Sequence, residues 1–230
     1  MEVKLIRYTK DPERVCAAAA RSTISKKSMD KLMRELDDEQ VRRIIRNVLK
    51  WGHLSVIEHA SFTFSISGIS RVCSHQLVRH RIASYSQQSQ RMVKVGEKSF
   101  VMPPSIKKNP HAKEIFREAI RKAVSSYQMM IRLGIPLEDA RFILPQAVKT
   151  NIVVTMNARE LHHFFNLRCC MKSQWEIREL ANKMLSLVKK VAPTLFENAG
   201  PMCKAHGYCP ENDRSCPLYK KYIGERRSRK

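Results

Sequence analysis

The stretch SFTFSISGISRVCSHQLV, residues 61–78, carries two hydrophobic periods in succession. Phe62, Phe64 and Ile66 alternate with Ser61, Thr63 and Ser65, which is the period of a half-buried strand. Gly68 is expected to break that strand, and a helix is expected from Ile69 to about Val78, with Val72, Cys73 and Leu77 turned inward. Upstream, Val3 to Tyr8 reads as a short strand. Asp11-Pro12-Glu13 then opens a helix that runs through alanines to Arg21. Residues 29–50 keep helical spacing through Leu32, Leu36, Val41, Ile44, Ile45, Val48 and Leu49, and Trp51-Gly52-His53 ends the run.

Downstream, residues 79–91 are polar and read as irregular, and Pro103-Pro104 and Asn109-Pro110 mark a loop. Residues 111–133 predict a long amphipathic helix stopped by Gly134, and Pro136 starts a shorter one through Leu144. Ile152-Val153-Val154 suits a buried strand. Asn157 to Glu160 has the spacing of a capping box opening a helix to about Cys169, and Gln174 to Ala192 predicts another amphipathic helix closed by Pro193. Neither an internal repeat nor a heptad array is present. The expected class is α+β, with long helices packed on a small, mostly antiparallel sheet.

The chain has 230 residues, enough to bury one sizeable core, and its hydrophobic share of 43% is that of a globular protein. The opening residues MEVKLIRYTKDPER have no apolar stretch after their charges, so neither a signal peptide nor a membrane span is expected, and the expected compartment is the cytoplasm. Lys and Arg number 43 against 21 Asp and Glu, a formal net charge of +22, which favours anionic partners. Part of that charge sits in the terminal GERRSRK, expected to be a solvated tail. The seven cysteines, an odd count, fit reduced thiols better than a disulfide framework.

From His59 through Gly96 no Asp or Glu occurs, yet Arg71, Arg79, Arg81, Arg91 and Lys94 fall there with His75 and His80. One-sign charge repels itself unless an anion fills it, whereas ordinary solvated segments mix signs. Arginine brings planar, permanently charged forks that suit phosphate, and the interleaved Ser and Gln add neutral donors. A basic nucleic-acid-binding protein with a C-terminal zinc knuckle would also explain the charge, although it would favour exposed aromatics, and only Tyr85 and Phe100 stand near.

Within this stretch, Arg79-His80-Arg81 followed after seven residues by Ser89 resembles the RHRx7S signature of flavin-dependent thymidylate synthases. The resemblance continues through His53, Ser55, Glu58 and His59 upstream, Gln76 three residues before Arg79, Arg141 in ARFILP, Asn157 and Arg159 in NARELHHFF, and Leu167-Arg168 before QWEIR. Matching segments span roughly residues 50–190, so residues 1–200 are expected to form the synthase domain and 201–230 a Cys-rich, basic extension.

The resemblance implies the family fold, reductive methylation of dUMP to dTMP, FAD as cofactor, NADPH as reductant, methylenetetrahydrofolate as carbon donor, and a homotetramer with sites shared between chains. Gln76, Gln87, Gln88, Ser89, Arg91 and Arg141 would hold dUMP, chiefly its phosphate. Arg79 would lie between nucleotide and flavin. His53, Ser55, Glu58, His80, Arg81, Ile82, Asn157, Arg159, His163 and Leu167 would surround FAD or folate. Arg168 would act on the uracil ring, where its charge suits an enolate developing on the carbonyl. Departures from the family pattern are Gln87 for Glu, His163 for Asn, Ser55 for Thr and Met92 for Tyr.

The residues themselves allow simpler roles. Glu58 could pair a neighbouring arginine, Asn157 suits an N-cap, and Leu167 suits the core. His162 and His163 are adjacent, so at most one faces a given site. Arg159, His163 and Leu167 share one helical face, and Arg168 turns toward the next. With seven Gly and no GxGxxG loop, a Rossmann nucleotide site is not expected. Cys73 is expected to pack rather than attack, and Ser89, between Gln88 and Gln90, to bind phosphate rather than act as a nucleophile. Finally, Cys203-x2-His206-x2-Cys209-x6-Cys216 sets four soft ligands within 14 residues, which allows either a zinc site or a loop of reduced thiols.

Overall fold

A computed structural model describes residues 1–224; the basic tail beyond them lies outside that range. The elements in order are β1 (Glu2–Tyr8), α1 (Pro12–Ser22), α2 (Met29–Glu35), α3 (Asp38–Trp51), a 3₁₀ turn Leu54–His59, β2 (Ser61–Ser70), α4 (Arg71–Leu77), β3 (Ala83–Gln87), α5 (Pro104–Lys108), α6 (Pro110–Arg132), α7 (Leu137–Ala140), a 3₁₀ turn Arg141–Ile143, β4 (Lys149–Asn157), α8 (Ala158–Arg168), α9 (Trp175–Val191), α10 (Met202–Ala205) and α11 (Pro217–Tyr219). Lys220–Gly224 closes the described chain as a single wide helical turn.

The strands form one antiparallel sheet in the order β1-β2-β4-β3. Two side-chain bonds fix the register of β2 on β4. Thr63 Oγ1 meets Thr155 Oγ1 at 2.9 Å, and the Gly68 N–H donates to Asn151 Oδ1 at 3.2 Å. As one partner number rises the other falls, as antiparallel pairing requires. With the long helices around it, this sheet is the α+β arrangement expected from the sequence.

The chain folds into two compact units. The first holds Met1–Glu2, Ile66–Arg79 and Tyr85–Val153, and buries Ile66, Ile69, Cys73, Leu77, Ile120, Val124 and Tyr127. The second holds Val3–Ser65, His80–Ser84 and the chain from Val154 onward. In it Phe62, Phe165 and His162 gather on Phe196, with ring centroids 5.4, 6.1 and 5.1 Å away. Each fully buried Phe there contributes about 1.5–3 kcal/mol.

Several expected boundaries move, each for a local reason. The run 29–50 is two helices. Leu36 turns to extended backbone, and Asp37 caps α3 by accepting from the Gln40 N–H at 2.8 Å while Gln40 Oε1 accepts from the Asp37 N–H at 3.3 Å. Gly68 does not break β2; it takes φ +74° inside the strand, a conformation open to glycine at little cost. Consequently α4 starts later than expected, capped by Ser70, whose hydroxyl accepts from the Cys73 N–H at 3.0 Å. The stretch 79–91 is not wholly irregular, because Ala83–Gln87 pairs as an edge strand with alternating exposure.

Candidate functional site

In the second unit, α8 carries four of the candidate residues, Arg159, His163, Leu167 and Arg168. Asn157 Oδ1 accepts from the Glu160 N–H at 2.9 Å and starts the helix, the N-cap role open to it. The Glu160 carboxylate does not close a capping box. It is buried, and its Oε1 lies 3.1 Å from Nδ1 of buried His80. On the other side of the ring, Arg168 Nε donates to His80 Nε2 at 3.1 Å. Since Nε2 accepts, Nδ1 carries the proton and donates to Glu160. Burial drives the His80 pKa down from 6.5 to about 4, with the Arg168 charge acting in the same direction, so the ring is neutral near pH 7. Burial likewise raises the Glu160 carboxyl above its usual range, against the opposing charge of His163. Sequence reasoning missed Glu160 as a site residue. The available signal was an acid on the buried face of α8, beside Leu161, Phe164 and Phe165.

The outer face of α8 carries Arg159, His163 and Leu167, all exposed, as their four-residue spacing requires. The His163 ring lies 5.4 Å from the His80 ring. Its neighbour His162 points the other way, with Nε2–H donating to the Leu195 backbone oxygen at 3.0 Å and the ring stacking on Phe196. Leu167 is therefore at the surface rather than in the core. Arg159 pairs with Glu58 at 2.6 Å, which ties the 3₁₀ turn bearing Ser55 and Glu58 to α8. His53 precedes that turn and lies near Trp51; Arg81 and Ile82 follow His80 and are exposed. Leu167, Ile82, His163 and Arg159 are thus all exposed side chains.

Among the described residues, His80, Glu160 and His163 bring metal-capable atoms within 4.8 Å of one another. The chemistry of this set opposes a cation, because Arg168 already places a fixed positive charge on His80 Nε2.

The first unit holds the other predicted group. Gln76 sits on α4, Arg79 just beyond it, and Gln87 to Arg91 at and after the end of β3. Ser89 Oγ accepts from the Arg91 N–H at 3.1 Å, a local turn. Arg91 and Arg141 converge on Glu138: Arg91 Nε meets its carboxylate at 2.7 Å, and Arg141 Nε donates to its backbone oxygen at 3.0 Å. Arg71 joins them, its pKa lowered by burial and then by the Arg141 charge. Gln87 turns inward, where its amide nitrogen donates to Ser74 Oγ at 2.9 Å and Thr150 Oγ1 at 3.2 Å. Beside this group, a cleft of about 260 Å³ is lined by Gln88, Ser89, Lys94, Lys98 and Lys149 among others. Cys73 is buried, as packing requires, and all seven cysteines are free thiols. Cys203, His206, Cys209 and Cys216 do not join the closely spaced ligand group.

The fold is of the α+β class, with one guanidinium held on a buried histidine in one unit and Arg71, Arg91 and Arg141 near one another in the other. Residues 4–194 match the family described as thymidylate synthase complementing protein (Thy1). The chain is 50% identical to the flavin-dependent thymidylate synthase of Geobacter sulfurreducens over 218 residues, covering 94% of each chain. It is 46% identical to that of Clostridium tetani, covering 94% of this chain and 93% of the relative. Against that of Sulfolobus acidocaldarius it is 50% identical, covering 90% and 79%. The crystal structure of the UMP/dUMP methylase PolB from Streptomyces cacaoi, bound with 5-Br dUMP, superposes with a TM-score of 0.72 at 25% identity, covering 85% of this chain and 93% of that one. The chain belongs to the family of flavin-dependent thymidylate synthases. Nothing in these comparisons supports the nucleic-acid-binding alternative. No helix among the described residues is long and apolar enough to cross a membrane.

Proposed function

We propose that the protein methylates dUMP to dTMP in the cytoplasm, with FAD bound along α8, methylenetetrahydrofolate as carbon donor and NADPH as reductant. The observation that carries this reading is the chain Glu160–His80–Arg168, which holds a guanidinium at the end of the exposed stripe Arg159, His163, Leu167. That stripe, with His53, Ser55, Glu58, Arg81 and Ile82, would hold FAD and the folate. Bound there, FAD in its reduced form would supply the hydride that completes the methyl group and the folate would supply the carbon.

The remaining work falls to the chain's own side chains. Arg91 and Arg141, with Ser89, Gln76 and Gln88, would bind the dUMP phosphate. Arg79, on the same segment, would reach between nucleotide and flavin. Arg168 would stabilise negative charge on the uracil carbonyl as C5 becomes nucleophilic. Its partner His80 is neutral, so it does not compete with that charge and serves to fix the guanidinium plane. Gln87, engaged with Ser74 and Thr150, would shape the nucleotide site by holding its strand in place rather than by touching phosphate. A homotetramer, with sites shared between chains, would bury exposed apolar side chains such as Phe142, Leu133, Met129 and Ile115.

The test is a visible spectrum of the purified protein. A flavin spectrum that NADPH bleaches, and bleaches faster with dUMP present, supports the proposal. A colourless protein that binds RNA but neither FAD nor dUMP refutes it.

A further inference from the structure

The C-terminal cysteines take no part in the chemistry above, and residues 202–224 have little else to hold them. Their helical pieces are three to five residues long, and the only buried side chains among them are Cys203 and Ile223. So small a segment lacks the apolar area to offset its own ordering entropy, and such segments are ordinarily fixed by a disulfide or a metal. Disulfides are absent here, since all seven thiols are free.

The fold brings a fourth thiol to the three in this segment. Helix α10, which carries Cys203, packs on α8, and Cys170 lies just past the α8 C-cap at Cys169. Lys172 Nζ reaches Asp213 Oδ2 at 2.9 Å, tying the chain after Cys170 to the loop between Cys209 and Cys216. That loop is folded by two turns. The Asn212 N–H donates to the Cys209 oxygen at 3.2 Å with Asn212 at φ +47°, and the Cys216 N–H donates to the Asp213 oxygen at 3.2 Å. Burial raises the pKa of the Cys203 thiol, the Lys204 backbone N–H opposes that rise, and Cys209, Cys170 and Cys216 lie near enough to add to it. His206 is engaged otherwise, its Nε2 accepting from the Asn166 Nδ2–H at 3.0 Å.

We infer that Cys170, Cys203, Cys209 and Cys216 form a four-thiolate site for a thiophilic metal, either a single Zn²⁺ or an iron–sulfur cluster. The ligand set differs from the one the local spacing suggests, in that Cys170 takes the place of His206. Binding releases the thiol protons to solvent, and four metal–sulfur bonds replace the repulsion that four thiolates would otherwise exert on one another. The four sulfurs are not gathered within 4.8 Å of one another as His80, Glu160 and His163 are. A lone Zn²⁺, with Zn–S near ~2.3 Å, therefore tightens the Cys209–Cys216 loop on binding, whereas a cluster accepts a wider spacing. The site is distant in role from flavin and nucleotide: it staples the C-terminal segment onto the end of α8.

The full chain, purified anaerobically without chelator or a histidine tag, is assayed for zinc, iron and acid-labile sulfide. About one zinc per chain, or iron with matching sulfide, is expected, with an X-ray absorption shell of four sulfurs near ~2.3 Å. Cys170→Ser and Cys209→Ser should each retain at least about tenfold less metal, and His206→Ala should retain it. FAD content and circular dichroism report whether each variant is folded. If the unaltered chain holds below about a tenth of an equivalent and its thiols react freely with a thiol reagent in the folded state, the site does not exist. A nitrogen in the metal shell, or metal lost from His206→Ala but kept by Cys170→Ser, overturns the ligand set.

Discussion

Arg168 Nε donates to His80 Nε2 across 3.1 Å, and the same imidazole meets Glu160 Oε1 through Nδ1 at 3.1 Å. Three side chains from two segments thus set one guanidinium in place. Arginine has two further nitrogens beyond the Nε that holds His80. The buried carboxylate determines which tautomer the histidine adopts, and the tautomer determines whether Nε2 can accept from arginine.

Glu160 is accordingly a positioning residue. Glu160→Ala removes the acceptor for a buried Nδ1–H and should cost about 1–3 kcal/mol of stability. Glu160→Gln keeps an oxygen facing Nδ1 and should retain most of that stability and of the turnover. Urea unfolding and dTMP formation measured side by side check this. Equal damage from both substitutions would mean that the charge, and not the tautomer, is what matters.

Arg168 itself should divide cofactor binding from chemistry. Arg168→Ala should lower dTMP formation by about 100- to 1000-fold while FAD stays bound, the scale expected when one donor to a developing oxyanion is lost. Arg168→Lys should recover little, because an ammonium on a flexible stem cannot hold His80 and face uracil in one plane. Single-turnover kinetics with a flavin absorbance readout separate the two effects. Unchanged turnover in Arg168→Ala would remove this residue from its role.

Much of the fold was legible in the sequence because its cues are local. Alternation at Phe62, Phe64 and Ile66 marked β2, and the apolar spacing through residues 111–133 marked α6. The errors arose where a partner or a competing cap decided the outcome. Ala83–Gln87 is polar and becomes a strand only because β4 supplies its ladder. Asp37 splits a continuous helical pattern because its reciprocal bonds with Gln40 outweigh one more turn of helix. At the site, the outward stripe of α8 followed from helical geometry alone. Glu160 did not, since its spacing from Asn157 suits a capping box, and only the position of His80, 80 residues earlier, draws the carboxylate inward.

The pH dependence of stability follows from the histidines. His80 and His162 are both lowered from 6.5 to about 4, chiefly by burial. Between pH 4 and 6.5 the unfolded chain binds these protons and the folded chain does not, so stability falls as pH drops through that window and levels off below it. For His80 the full loss is on the order of 3 kcal/mol. Glu160, raised above its usual 4.5, works in the opposite sense just above that value and offsets part of the slope. Unfolding measured from about pH 7.5 to 4 should show the decline, and His162→Gln should make it shallower. A His80 ring that titrates by NMR near its ordinary value of 6.5 in the folded protein would contradict this assignment.

Arg91 and Glu138 form an exposed pair at 2.7 Å, so the carboxylate occupies the fork proposed for phosphate. Such pairs contribute little to stability, which makes the pair a test of binding alone. Arg91→Ala should leave the melting temperature nearly unchanged and raise the KM for dUMP by about 10- to 100-fold, the scale of a lost charge-assisted hydrogen bond. Glu138→Gln keeps the backbone oxygen that holds Arg141 but removes the competing charge, so it should lower the same KM about threefold or more. Because both effects are electrostatic near the surface, added salt should shrink the difference between the variants. Steady-state kinetics at two salt concentrations decide the matter. If KM is the same in Arg91→Ala as in the unaltered chain, the phosphate is held elsewhere, with the lysines of the neighbouring cleft as the next residues to test.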